Sequence, residues 1–146
     1  MIRVLLGVDG SPGSLAAVDH VVALAAAGLR CTVRVVAVQE PVYLYEMLLP
    51  PDAEVLERWT AVAGRRALDA AEARLREAGV VYEAELATGD PAAALLDAAA
   101  RRAVDLIVLG ARGLGRVKGL LLGSVSQAVM LGAGRPVTIV HAPSGG

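Results

Sequence analysis

Leu106-Ile107-Val108-Leu109, then residues 110–124, GARGLGRVKGLLLGS, then Val125-Ser126-Gln127-Ala128-Val129-Met130-Leu131: the reading of this stretch decides the fold. Four consecutive apolar residues, two of them β-branched, suit a short strand buried on both faces, and the residues after Ser124 carry apolar positions at helical spacing. Residues 110–124 therefore form a loop from the carboxyl end of a buried strand into a helix. Glycines at 110, 113, 115, 119 and 123 let the backbone approach a ligand without side-chain obstruction. Ser124 stands where an N-cap is expected, beside the free amides of a first helical turn, and such a helix start favours an anion. Arg112, Arg116 and Lys118 add positive charge, and no Asp or Glu occurs from Leu106 onward. This end of the molecule is expected to bind a phosphate.

The same strand and helix periods recur upstream. An apolar run from Ile2 to Val8 is bounded by the turn cluster Asp9-Gly10-Ser11-Pro12 and reads as a central strand. Residues 14–27 then have helical spacing up to Gly28. Strands are expected over 31–38, 80–87, 105–109 and 136–140, and helices over 52–78 and 92–103, with Asp90 as N-cap before Pro91. In the long helix Val55, Leu56, Trp59, Val62, Ala63, Leu68, Ala71 and Leu75 make one apolar stripe, and interspersed charges make a solvated face. Strands alternating with helices predict an open five-stranded parallel sheet with helices on both faces. Residues 41–51, which hold Tyr43, Tyr45 and three prolines, are richer in apolar side chains than a plain linker needs. A lid, a partner contact and packing on the second helix all remain open for them.

With 146 residues and 55% hydrophobic content, a single domain over 1–146 with a frayed tail at 142–146 is expected. A net charge of -1 provides no global attraction to nucleic acid or to an anionic membrane, and no apolar run approaches a membrane span. Cys31 is the single cysteine, so no internal disulfide forms. The chain opens on a strand with no leader, which makes the cytoplasm the expected location.

Two familiar glycine motifs do not fit. A dinucleotide fingerprint needs an acid about twenty residues downstream for the ribose, where none occurs. A P-loop needs Gly-Lys-Ser/Thr, whereas Lys118 lies between Val117 and Gly119. The spacing Gly110-x2-Gly113-x9-Gly123-Ser124 instead resembles the nucleotide-binding signature of the universal stress protein family. Val8-Asp9-Gly10-Ser11 at the end of the first strand and Arg135-Pro136-Val137 before the last resemble that family as well.

The resemblance implies strand order 3-2-1-4-5 in an adenine nucleotide alpha hydrolase-like fold, with Asp9 and the glycine loop facing each other across one crevice. It implies ATP with Mg2+ as ligand. Gly110, Gly113, Gly123, Ser124, Val125 and Ser126 would surround the phosphates, Asp9 would lie near the sugar and metal, and the main chain of Val38 would hold adenine. Read from the residues alone, Asp9 suits a turn carboxylate and Val38 strand core equally well. No catalytic residue is assigned, because the loop holds no carboxylate, both histidines lie outside the motifs, and the Ser-Gly-Gly-x-Asp-Ser loop of ATP pyrophosphatases is absent. At most very slow hydrolysis is expected. A dimeric adaptor with a vestigial glycine loop is the alternative. A homodimer through residues 136–140 is expected, because that edge carries no lysine or inward charge; Ile139→Lys is then expected to yield monomer if that side chain lies in the interface.

Overall fold

The computed structural model describes residues 1–40, 53–112 and 122–143. In chain order the elements are β1 (Ile2–Gly7), α1 (Pro12–Ala26), β2 (Cys31–Gln39), α2 (Ala53–Glu77), β3 (Val81–Thr88), α3 (Pro91–Arg101), β4 (Leu106–Gly110), α4 (Ser124–Gly132) and β5 (Val137–Val140). The strands form one sheet in the order β3-β2-β1-β4-β5, and every neighbouring pair is parallel, as a helix between each two strands requires. Segment 41–51, Gly113 and the end of the tail from 144 lie outside the described residues.

Period-two alternation divides the core between the two faces of the sheet. Val4, Leu6 and Val8 join Val33, Val35 and Val108 beneath α1 and α2, packed by Val18, Val21, Leu68 and Leu75. Leu5, Val36, Ile107 and Leu109 face α3 and α4 through Leu95, Ala98, Ala99 and Val129. Cys31 lies in the first cluster, where burial pushes its thiol pKa up. Asp90 caps α3, its carboxylate accepting the Ala93 amide at 3.0 Å. Interspersed charges on α2 pair as a solvated face does: Arg65 with Asp69 and Glu72, and Arg74 with Asp19 of α1.

The apolar stripe of α2 is only partly buried. Leu68, Ala71 and Leu75 are fully covered, yet Trp59 and Val62 are 65% and 48% exposed. Twenty-five residues of helix reach about 37 Å, whereas β1 reaches about 20 Å. The first turns of α2 therefore stand past the carboxyl ends of the central strands.

Arg135, just before β5, is bonded to three carbonyls: its guanidinium donates to those of Ala99 (2.9 Å), Val104 (3.0 Å) and Ala133 (3.1 Å). It thereby ties the end of α3, the entry to β4 and the end of α4 together.

At the other end of β1, Arg3 and Asp105 clamp the two central strands. The Arg3 amide donates to Asp105 Oδ2 at 2.8 Å, the Asp105 amide donates to the Arg3 carbonyl at 2.8 Å, and the Arg3 guanidinium lies 3.5 Å from the same carboxylate oxygen. The backbone amide of Arg3, and then its side chain, hold the Asp105 carboxyl below its ordinary value. A carboxyl depressed by folding stabilises the fold above its unfolded pKa of about 3.9, and that contribution disappears as pH falls through the lower folded value. Asp105→Asn should therefore melt below the parent protein at neutral pH, with the gap closing in acid. Thermal melts across that range check this, and a gap independent of pH would remove the carboxylate from the account.

Candidate functional site

The helix positions fix where a ligand crevice can form. From β1 the chain moves one way to β2 and β3 with α1 and α2 on one face, and β4 and β5 lie on the other side with α3 and α4 on the opposite face. The strand order reverses between β1 and β4, and in open α/β sheets such a switch point opens a crevice at the carboxyl ends of the strands.

On the β1 side, Gly10 takes φ +82°, and Asp9 Oδ1 accepts the Ser11 amide at 2.9 Å. Asp9 is thus a turn carboxylate, one of the two readings its sequence position allowed, and its side chain remains exposed. Ser11 caps α1, its hydroxyl accepting the Ser14 amide at 3.2 Å. The Ser14 hydroxyl donates to the Ser11 carbonyl at 3.1 Å and accepts the Asp9 amide at 3.3 Å. These bonds set Asp9 relative to the first turn of α1.

That turn lies directly on the exit of β4. A Cβ on Gly110 would stand 2.5 Å from the Gly13 carbonyl carbon and 2.8 Å from the Ser14 nitrogen, and a Cβ on Gly13 would stand 2.7 Å from the Arg112 carbonyl oxygen. Two main chains touch here with no side chain between them. The exposed Arg112 guanidinium has no carboxylate partner among the described residues.

The ends of the glycine loop are drawn together by one carbonyl. Ala111 O accepts the Gly123 amide at 2.6 Å and the Ser126 hydroxyl at 2.8 Å, while the Ala111 amide donates to Val140 O. Ser126 is 4% exposed, and its hydroxyl also reaches Gly110 O at 3.2 Å. Its side chain therefore ties the start of α4 to the exit of β4.

Gly123, and not Ser124, is the N-cap of α4, because the bond to Ala111 keeps Gly123 extended at φ -76°, ψ 168°. Among the described residues no side chain caps this helix, whereas Ser11 and Asp90 cap α1 and α3. The amides of Ser124, Val125 and Ser126 occupy its first turn, with the Ser124 side chain exposed and Val125 half-buried.

Val38 lies in β2 beyond the end of β1. The β1 register stops at Gly7 with Val36, and Val8 N donates to Val36 O. On its other side Val38 pairs with Ala87. Its main chain thus has no strand beside it toward the crevice among the described residues, while its side chain packs against the α3 and α4 core. Next to Gly10, a groove of about 560 Å³ runs between Leu15 and the Trp59, Val62 and Arg66 side chains of α2.

Sequence reasoning missed Ser14, whose bonds to Asp9 and Ser11 are local, and Gly13, whose role depends on an approach by Arg112, about a hundred positions away. The pattern Ser-Pro-Gly-Ser does carry a capping signal, serine before a first-turn proline, which locates the helix start at Pro12. Among the described residues no three His, Cys, Asp or Glu side chains come together to hold a metal, and no helix is long and apolar enough to cross a membrane.

This architecture is that of an open α/β fold whose α4 helix starts at Gly123, a residue with no capping side chain, near the switch point of the sheet. The model of the universal stress protein family matches residues 1–141, and the chain belongs to that family. It is 31% identical to the universal stress protein YxiE of Bacillus subtilis, over 95% of this chain and 98% of the relative. A universal stress protein solved in complex with cAMP is 29% identical with a TM-score of 0.68, covering 97% of this chain and 98% of that one. A family member from Arabidopsis thaliana solved with AMP bound shares the fold at 21% identity and a TM-score of 0.75, over 99% and 94% of the two chains.

Proposed function

We propose that this protein binds an adenine nucleotide, ATP with Mg2+ in its resting use, and acts as a nucleotide-dependent stress-response or signalling module. One observation carries the reading: α4 begins at Gly123 without a side-chain cap, at the switch point of the sheet, beside a strand exit stripped to bare main chain. Uncapped first-turn amides and the positive end of a helix suit a phosphate group. The 29%-identical relative with cAMP supports an adenine ligand.

In this reading the amides of Ser124, Val125 and Ser126, the exposed Ser124 hydroxyl and the Arg112 guanidinium receive phosphate oxygens, with Gly113 continuing the loop. The main-chain edge of Val38 receives the base. Mg2+ is a hard ion that keeps few protein ligands and is commonly held by one or two carboxylates plus substrate phosphates, which a lone exposed Asp9 suits. The ion would neutralise phosphate charge there. No side chain is assigned as a catalytic base, so slow hydrolysis at most is proposed. Calorimetry with ATP, AMP and cAMP, each with and without Mg2+, tests the reading; no heat of binding up to millimolar nucleotide would sink it.

A homodimer through β5 is part of the proposal, within a cytoplasmic setting. Pro136 O and Val140 O accept bonds from β4, so the amides and carbonyls of the alternate residues Val137 and Ile139 point to the open edge. Exposed Met130 and Leu131 on α4 add apolar surface nearby. Ile139 packs into the α3 and α4 core, so Ile139→Lys tests the core and not an interface. Val137 packs against the same core, so Val137→Pro is the better variant: it removes one outward amide at the start of an edge strand while keeping an apolar side chain there. Light scattering should give twice the chain mass for the parent and a shift toward monomer for Val137→Pro; a monomeric parent with and without ATP overturns the dimer.

A further inference from the structure

We propose that Gly13 is a positioning residue for the glycine loop, its missing Cβ setting where residues 110–112 leave the sheet. The consequence for affinity rests on the nucleotide reading above; the geometric effect does not. Gly13 is the second residue of α1 and is not among the glycines with positive φ, so its backbone conformation does not call for glycine. Helix propensity argues against glycine, since alanine is the better helix former. What the position does require is room: a Cβ would meet the Arg112 carbonyl oxygen at 2.7 Å, closer than real Cβ contacts come.

The direction of yielding is constrained. Ala111 cannot follow Arg112 freely, because its amide is bonded to Val140 and its carbonyl to Gly123 and Ser126. Either the Arg112 carbonyl retreats, which displaces the loop at its root, or the first turn of α1 lifts, which strains the Ser14 bonds to Asp9 and Ser11. Both routes change the spacing between Asp9 and the loop that the proposed site needs.

The test is Gly13→Ala in the full chain, compared with the parent by amide NMR spectra, urea denaturation and calorimetry with Mg2+ and ATP. Amide signals of Asp9, residues 110–112 and the first turn of α4 should move while those of α3 stay. The midpoint in urea should fall, because the backbone contact costs more than the better helix former returns, and ATP affinity should fall by about tenfold, the order expected when one well-placed hydrogen bond is lost. Unmoved loop-root signals, or affinity within about twofold of the parent (a fraction of a tenfold step), would overturn the proposal. A variant that does not fold overturns it as well, since Gly13 would then serve the packing of α1 and not the loop. If the parent binds no nucleotide, the proposed function fails, and the amide shifts alone still decide the role of Gly13.

Discussion

Gly110→Ala should destabilise the protein by about 3 kcal/mol and, on the proposed reading, remove most nucleotide affinity. The added Cβ would meet three backbone atoms of α1, the carbonyl carbon and oxygen of Gly13 and the nitrogen of Ser14, at 2.5 to 2.8 Å. No flexible side chain can turn aside to relieve these contacts, so α1 and β4 must separate. Overpacking of a tight contact costs about 1–3 kcal/mol and occasionally more, and a contact made wholly of main chain belongs at the upper end. The separation also breaks the alignment of the Asp9 turn with the loop exit. Urea denaturation gives the stability and calorimetry the affinity; a variant with the stability of the parent would show that the two main chains have slack between them.

Arg135→Ala should cost about 2–3 kcal/mol, because hydrogen bonds to a charged donor are worth about 1.5–3 kcal/mol each and partial exposure lets water replace some of them. The carbonyls of Ala99, Val104 and Ala133 lose a common donor. Two features separate this from an ordinary surface ion pair. The acceptors are neutral, so added salt should weaken the contribution little, whereas the exposed Arg74 pair with Asp19 is subject to screening. Arg135→Lys should recover only part of the loss, since an ammonium cannot reproduce the planar fork of a guanidinium. At the size of this chain the loss corresponds to a fall in Tm of roughly 5–10 °C. An Arg135→Ala protein that melts with the parent would leave the three carbonyls satisfied by water and Arg135 without a structural role.

Much of the fold is legible in the residues because its signals are local. Apolar runs such as Val4-Leu5-Leu6 and Ile107-Val108-Leu109 mark strands buried on both faces, and their core residues are indeed divided between the two helical layers. Asp90 before Pro91 marks a helix start. Element ends shift by a residue or two where a hydrogen bond from elsewhere sets them. Gly123 becomes the cap of α4 in place of Ser124 because its amide is bonded to Ala111. Trp59 and Val62 have the periodicity of buried residues but sit on helical turns that outrun the strands, and period alone carries no information on what lies opposite.

The candidate site divides along the same line. Glycine spacing, the serine after the last glycine and the absence of acids past Leu106 determined, from the sequence alone, the expectation of an anion-favouring connection between a strand and a helix, and with it the family resemblance; the strand and the helix are β4 and α4. Side-chain roles were left to the tertiary structure. Only the folded chain places Gly13 against Arg112, turns the Ser126 hydroxyl inward onto Ala111, and, among the described residues, leaves the Val38 main chain without a strand toward the crevice. The physical reason is distance along the chain. Propensity, capping and periodicity act within a few residues, whereas hydrogen bonds and excluded volume between β1, α1, β4 and α4 join residues about a hundred positions apart, and those contacts exist only once the sheet has formed.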